Sequence, residues 1–494
     1  MADIQQIIEQ FKKDNPLEDS DVILRAYHFA AEAHRGQKRK SGDDYITHCL
    51  GAAETLVRLR MDSETIAAGL LHDVLDDTKV TPKQMEKEFG ANILKLVNGV
   101  CKIGKLKYRG EERAAENLRK LFLAMAEDIR VILIKFADRL HNIKTLDALP
   151  AEKQKRIALE TLEIYAPLAD RLGIGEIKGQ LEDYSFAFIN PKEYQEISSK
   201  VKGKYAENIK YLEKTIPLIK KVLSEKGIKV VEIHARAKHY YSLYKKLLKY
   251  DMDWHRVYDL VALRVIVPDI ESCYATLGIV HKKWRPLFGR IKDYIALPKS
   301  NGYKSIHTTI FCDKGKITEL QIRTPQMHEE AEYGIAAHWH YKENKGLLKT
   351  YIQQKILKQA PKKRAIKMAE ELVWVKQLRE WQKEKFSSPR EFFDSLKIDF
   401  LKDRIFVFTP KGDVIDLPEG ATSIDFAYQI HTDIGHQCVG VKVDGKLCPL
   451  SEPLRNGQMV DVMTQKNKKP SRDWLRFVKT NQAKSSINAW YRKN

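Results

Sequence analysis

Apolar residues recur at helical spacing from residue 22 to about 188 and then give way to β-branched runs, a change of period that divides the chain before any motif is considered. The first stretch has few strand-like alternations and predicts an all-helical domain. A Lys-rich amphipathic segment, roughly residues 200–226, predicts a helical link. Runs at 228–233, 260–267, 308–311 and 317–322 follow, the first three separated by helical patterns, and predict an α/β or α+β domain. Residues 346–400 return to a charged helical pattern. A small β-rich module then occupies about 403–465, with turns signalled at Pro410-Lys411-Gly412-Asp413, Asp444-Gly445 and Asn456-Gly457. The expected division is 1–195, 196–345, 346–400, 401–466 and 467–494, in keeping with about two to four domains for 494 residues.

Composition limits the partners. A net charge of +20, from 86 Lys and Arg against 66 Asp and Glu, points to a phosphate-rich ligand, nucleotide or RNA, without choosing between them. The six cysteines show no CxxC spacing, so neither a disulfide framework nor a zinc ribbon is indicated, and a reducing compartment fits. The first residues lack a basic and apolar leader, and no run approaches the roughly 20 apolar residues of a membrane span. A soluble, unexported, cytoplasmic protein with no membrane partner is expected.

Two constellations carry chemistry. In Leu71-His72-Asp73-Val74-Leu75-Asp76-Asp77-Thr78 a His-Asp pair precedes two carboxylates, with His48 upstream and Asp138 downstream in Lys135-Phe136-Ala137-Asp138-Arg139-Leu140-His141-Asn142. Two imidazoles and two carboxylates suit a divalent ion such as Mn²⁺ better than the sulfur-rich sets that select structural zinc. Asp76 and Asp77, one turn beyond, offer a proton acceptor. The order H…HD…D resembles the signature of HD metallohydrolases.

The second constellation pairs Asp259, opening one strand-like run, with Glu319 in another, and a shared sheet would bring the two acids together. Two such carboxylates suit a Mg²⁺-dependent transfer from ATP. Cations surround them: Arg236, Lys238, Lys245 and Lys246, then Arg264, then Arg290, Lys292 and Lys299. Tyr303, in Asn301-Gly302-Tyr303-Lys304-Ser305-Ile306-His307, is placed to stack on a base.

Together these residues resemble the long RelA/SpoT homologues, bifunctional enzymes that make and destroy (p)ppGpp. The resemblance rests on His48, His72-Asp73, Ala137-Asp138-Arg139-Leu140-His141-Asn142, Arg290-Ile291-Lys292-Asp293-Tyr294, Asn301-Gly302-Tyr303, Glu319-Leu320-Gln321-Ile322-Arg323-Thr324, Met327-His328 and Gly334-Ile335-Ala336-Ala337-His338-Trp339, nearly the whole chain. It implies an all-α HD-type hydrolase domain, an α/β nucleotidyltransferase-like synthetase domain and a β-grasp TGS domain. It further implies a Mn²⁺ site at His48, His72, Asp73 and Asp138, a hydrolytic pair at Asp76 and Asp77, and a guanosine pocket lined by Arg39, Lys40, Asn142 and Thr145. In the synthetase, Asp259 would ligate Mg²⁺, Glu319 would activate the acceptor 3′-hydroxyl and Tyr303 would stack on guanine. Arg236, Lys238, Lys245, Arg264, Lys292, Lys299, Asn301 and His307 complete the expected nucleotide set.

The partners so implied are ATP, GDP or GTP, (p)ppGpp and, through the TGS module, uncharged tRNA and the ribosome, with His431 and His436 as rings for an unpaired base. Three departures stand out: Asp76 where Glu is usual, Lys304 where Gln is usual, and an end at Asn494 that implies a form lacking the family's later modules. A hydrolase-only enzyme with a regulatory synthetase fold, and an RNA-binding regulator with inactive domains, remain as alternative readings.

Overall fold

A computed structural model of the chain describes residues 3–104 apart from 17, 121–257 apart from 122, 123 and 126, 260–337 apart from 300, 313 and 314, and 404–493. These fall into two compact units, one through residue 337 and one from residue 404.

The first unit begins with helices whose burial explains where the polar motifs end up. In Ser63–Leu71 every residue except Glu64 is buried, and Asp62 caps the helix by accepting the Thr65 N–H at 2.7 Å. The helix ends on His72, so apolar burial carries that imidazole inside. Helix Ile46–Arg58 brings His48 to the same interior and packs on Arg130–Lys144, which carries Asp138. They pass close together at Gly51, where a Cβ would lie 2.0 Å from Cδ2 of His141.

The expected helical link is present as a 34-residue helix, Pro191–Ser224. A five-stranded sheet follows: β1 (Glu232–Ala237), β2 (Val261–Ile266), β3 (Lys292–Asp293), β4 (Ile306–Phe311) and β5 (Ile317–Arg323), ordered β1-β2-β5-β4-β3 with β2 and β5 parallel. Alternation gives the sheet two chemically opposite faces. Ile233, Leu263, Val265, Leu320, Ile322, Ile306 and Ile310 face a buried core shared with Leu212, Ile219 and Leu223 of the long helix. On the other face the register sets Ala262 beside Glu319, Arg264 beside Gln321, and His307 beside both Gln321 and Lys292.

β1 departs from the expected span. The β-branched run at 228–233 is mostly lead-in, and the strand extends through His234 and Arg236 instead. β1 is an edge strand pairing only with β2, and one of its faces is polar, so apolar content was a poor guide to its position.

Helix Pro325–Tyr333 crosses back onto the N-terminal helices. Arg60, itself at φ 56°, donates to Glu329 at 2.8 Å and lies 5.1 Å over the Tyr333 ring. Gly334, at φ 54°, follows; its absent Cβ would stand 2.1 Å from the Leu172 carbonyl oxygen, so no other residue fits that crossing.

The second unit carries β6 (Arg404–Phe408), β7 (Val414–Pro418), β8 (Cys438–Val443), β9 (Lys446–Cys448) and β10 (Val460–Thr464), as a two-stranded β6-β7 sheet and a three-stranded β10-β8-β9 sheet. All three expected turns connect or border strands, and Asp444 and Gly445, both at positive φ, make the tight β8–β9 turn.

Helix Ser423–Ile430 packs on these strands and carries the fully buried Asp425. The Asp425 carboxylate accepts from Thr422 within its own capping box and from the backbone N–H groups of Lys479 and Thr480, pinning the C-terminal segment to the module. Asp425→Ala will strand two buried N–H groups, those of Thr422 and Thr480, at about 1–3 kcal/mol each, and remove the acceptor of the part-buried Lys479 N–H. Hydrogen exchange in the full chain is the check: residues 479–487 will lose protection together, and unchanged exchange there would remove Asp425 from this role.

Candidate active sites

Four side chains from three helical segments meet in the N-terminal part of the first unit. Nε2 of His48 lies 3.1 Å from Nε2 of His72, and each approaches the Asp73 carboxylate, at 3.4 and 3.1 Å. Oδ1 of Asp138 is 3.4 Å from His48 and 3.9 Å from His72. Donor atoms of His48, His72 and Asp138 all fall within 4.8 Å of one another, and all three residues are buried. His72 gives its Nδ1 proton to the Gly69 carbonyl at 2.7 Å, which turns Nε2 into the cluster as the nitrogen an ion would take in place of its proton. Two imidazole nitrogens and two carboxylates, buried except for the partly exposed Asp73, fit a divalent cation.

The electrostatics agree with a site built for positive charge. Burial alone would lower the His72 imidazole, but Asp73 and then Asp138 push it up to about 9. Burial would raise Asp138, yet the Lys135 ammonium at 2.6 Å and the two histidines hold it well below the usual carboxylate range. His141, which touches His48, is pushed down to about 3 by burial and by the neighbouring His48, Arg39 and Lys144.

Beside the cluster is a cavity of about 400 Å³, within the usual size for a small-ligand site. Arg39, Lys40, Asn142 and Thr145, the four residues expected to line a guanosine pocket, all border it together with Asp138. Asn142 bridges the two features: it donates to Asp138 and accepts from Arg39 at 2.8 Å. Lys135 and Arg139 also line the cavity and were not anticipated. Their signal was their place on the Asp138 helix, three residues before and one after. Arg139 is steadied by Glu160 at 3.0 Å and by the Tyr165 ring at 4.1 Å, the latter presented by a π-helical turn, Thr161–Tyr165.

Asp76 and Asp77 are exposed. Tyr45 links Asp77 to the cluster, donating to Asp77 at 2.7 Å and standing 2.9 Å from Asp73.

The polar face of the sheet holds the second constellation. Glu319 accepts from Gln321 at 3.1 Å and lies 3.4 Å from Nδ1 of His307, whose Nε2 meets the Tyr303 hydroxyl at 2.8 Å. Burial lowers the His307 imidazole, and Lys299 and Lys292 oppose the pull of Glu319 on it. Lys299 sits 5.0 Å over the Tyr303 ring and 4.9 Å over Tyr294. Asn301 orders this loop by accepting the Tyr303 N–H and donating to the Asp170 carbonyl at 3.1 Å. A cavity of about 180 Å³ is bordered by Arg236, Lys299, Asn301 and Tyr303 on one side and by Asp170, Lys178 and Glu182 on the other.

The remaining expected cations are distributed differently. Arg264 and Arg236 reach Glu332 at 2.8 and 3.7 Å, joined by the fully buried Arg323 at 3.6 Å, which sequence reading passed over. Lys245 is paired with the buried Glu182 at 2.8 Å, turned toward the N-terminal helices. Lys292 is exposed on β3 and Lys238 half-buried just beyond β1. Asp259 and the 346–400 segment lie outside the described residues. β2, which begins two residues after Asp259, runs beside the strand carrying Glu319. In the second unit His431 is exposed, whereas His436 packs edge-on against Tyr428.

Comparison with known proteins matches an HD domain at residues 26–175, the region found in RelA / SpoT proteins at 235–346, and a TGS domain at 405–464. A GTP pyrophosphokinase of Myxococcus xanthus is 46% identical over 97% of this chain and 61% of its own length. A guanosine-3′,5′-bis(diphosphate) 3′-pyrophosphohydrolase of Aquifex aeolicus is 45% identical over 99% of this chain and 67% of its own length. A bifunctional (p)ppGpp synthase/hydrolase of Mycobacterium tuberculosis is 44% identical, with 99% and 65% covered. The chain thus spans less than two thirds of the Myxococcus and Mycobacterium proteins. Among the described residues no helix is long and apolar enough to cross a membrane.

Proposed function

Because this chain belongs to the RelA/SpoT family, we propose that it is a bifunctional alarmone enzyme with two separate sites. One transfers pyrophosphate from ATP to the 3′-oxygen of GDP or GTP, releasing AMP. The other hydrolyses (p)ppGpp to GDP or GTP and pyrophosphate.

The observation that carries the reading is the shared cavity: four residues expected to hold guanosine open onto the same space as a ligand of the His/Asp cluster. There His48, His72, Asp73 and Asp138 would hold Mn²⁺, which supplies Lewis-acid polarisation of a phosphoryl oxygen when bound. Arg39, Lys40, Asn142 and Thr145 orient the nucleotide. Lys135 and Arg139 add positive charge toward the phosphates. Asp77, held by Tyr45, and Asp76 take up the proton of the attacking water.

At the sheet, Glu319 receives the proton of the acceptor 3′-hydroxyl, its carboxylate oriented by Gln321 and His307. Tyr303 stacks on the guanine, with Asn301 ordering its loop, while Arg236, Arg264, Lys238, Lys245, Lys292, Lys299 and His307 meet phosphates. Asp259 would help to hold Mg²⁺, which supplies neutralisation of polyphosphate charge. In the second unit, His431 is the ring offered to an unpaired base of uncharged tRNA. His436, set against Tyr428, supports the module instead.

The test is anion-exchange chromatography of chelator-stripped protein. Incubation with ppGpp will give no product until Mn²⁺ is added, and then GDP and pyrophosphate; incubation with ATP, GDP and Mg²⁺ will give equal AMP and ppGpp. Breakdown of ppGpp that persists in excess EDTA would exclude the metal assignment.

A further inference from the structure

The two histidines of the cluster differ in what holds their outward nitrogens. His72 gives its Nδ1 proton to a backbone carbonyl, an acceptor that cannot change role. His48 has no carbonyl there; its Nδ1 faces Nδ1 of His141 at 3.0 Å. Two lone pairs at that distance repel, so one of the facing nitrogens carries a proton. Nε2 of His48 points at His72, Asp73 and Asp138, and it binds an ion only when bare.

We propose that His141 is a positioning residue of the hydrolytic site, accepting the Nδ1 proton of His48 and thereby fixing the tautomer that leaves His48 Nε2 free to ligate the ion. The inference rests on the metal reading given above and adds to it a residue outside the four ligands. The fold makes room for it deliberately. Gly51, one turn along the helix from His48, is where a Cβ would come within 2.0 Å of the His141 ring. The helix that supplies the ligand therefore also supplies the clearance for the ligand's partner. The two rings meet at 67° with centroids 4.9 Å apart, an edge geometry that directs nitrogen to nitrogen. Without His141, the neutral His48 divides between tautomers, and the form protonated at Nε2 has no lone pair for an ion.

The experiment is a Mn²⁺ titration of the chelator-stripped full chain, followed by the electron paramagnetic resonance signal of free Mn²⁺, for wild type, His141→Ala, His141→Asn and Gly51→Ala. Loss of such an outer partner typically weakens metal affinity about 10–100-fold, and His141→Ala will fall in that range. Asparagine places a carbonyl oxygen where Nδ1 was, so His141→Asn will recover most of the affinity. Gly51→Ala, which displaces the ring without removing it, will weaken binding in the same direction. Synthesis of ppGpp from ATP and GDP reports on folding in each variant. If wild type binds Mn²⁺ and His141→Ala binds it equally well, the proposal is overturned while the metal site stands. If His141→Asn is as weak as His141→Ala, the acceptor role is overturned. A wild-type protein that takes up no Mn²⁺ overturns the metal reading itself. Should His141→Ala fail to fold, the pair His141→Asn and Gly51→Ala decides the question, since the proposal requires the first to bind and the second to bind weakly.

Discussion

Asp73→Ala will abolish ppGpp breakdown, by about 10³-fold or more, and leave ppGpp synthesis near its wild-type rate. A loss of that size corresponds to about 4 kcal/mol of transition-state stabilisation, within the several kcal/mol that an ion supplies to a phosphoryl transfer. Asp73 is the right ligand to remove because it is the most accessible of the four, its side chain 25% exposed against 8% for Asp138. Asp138→Ala is a poorer test. It would leave the Lys135 ammonium, now 2.6 Å from its carboxylate, buried without a counter-charge. Breaking such a pair typically costs about 3–5 kcal/mol of stability, so loss of activity and loss of fold would be confused. Removing Asp73 takes away one carboxylate and one acceptor of Tyr45, which keeps Asp77 as its partner. Initial rates of GDP release and of AMP release, measured on the same preparation, decide the outcome. Equal loss of both would argue for a single shared site.

Glu319→Gln is expected to do the reverse, lowering synthesis by about 10²–10⁴-fold, the usual contribution of a positioned general base. The substitution keeps the shape of the side chain and retains an oxygen to accept from Gln321, so the packing of β5 beside β2 and β4 is undisturbed. What it removes is the ability to take a proton. Hydrolysis of ppGpp, which depends on residues of the helical part, will continue at its wild-type rate. Retained synthesis in Glu319→Gln would place the base elsewhere on the sheet.

What could be read from the sequence, and what could not, follows from the distance over which each feature is defined. His72 and Asp73 are adjacent and Asp138 sits within a recognisable helical motif, so local chemistry was enough to nominate them, and the structure brings them together with His48. That the strands holding Leu263 and Leu320 share a sheet was expected from their β-branched runs; that they are direct parallel neighbours was not. His141 is different. It lies in the Asp138-Arg139-Leu140-His141-Asn142 motif, but its meaning comes from His48, 93 residues earlier, and from the missing side chain of Gly51. Arg323 was likewise hidden in a strand that reads as apolar alternation, and only the approach of Glu332 from the next helix shows that it shares a carboxylate with Arg236 and Arg264. Lys245 is expected to meet phosphate because lysines cluster around it, and the structure adds a neighbour that no local pattern announces, Glu182, 63 residues away. Charge clusters in sequence say that cations are near one another; they do not say which anion each one faces.

The contacts around Asn301 and Lys245 bear on how this chain can be taken apart in the laboratory. A fragment begun at residue 196 would keep Asn301, His239 and Lys245 but discard Asp170, Asp183 and Glu182, the groups that hold them at 3.1, 2.8 and 2.8 Å. The loop carrying Tyr303 would lose its outer wall, and three polar side chains would be released into water. Scissors placed between the two candidate sites therefore cut through the frame of one of them, and the clean dissection is by single-residue replacement in the intact chain.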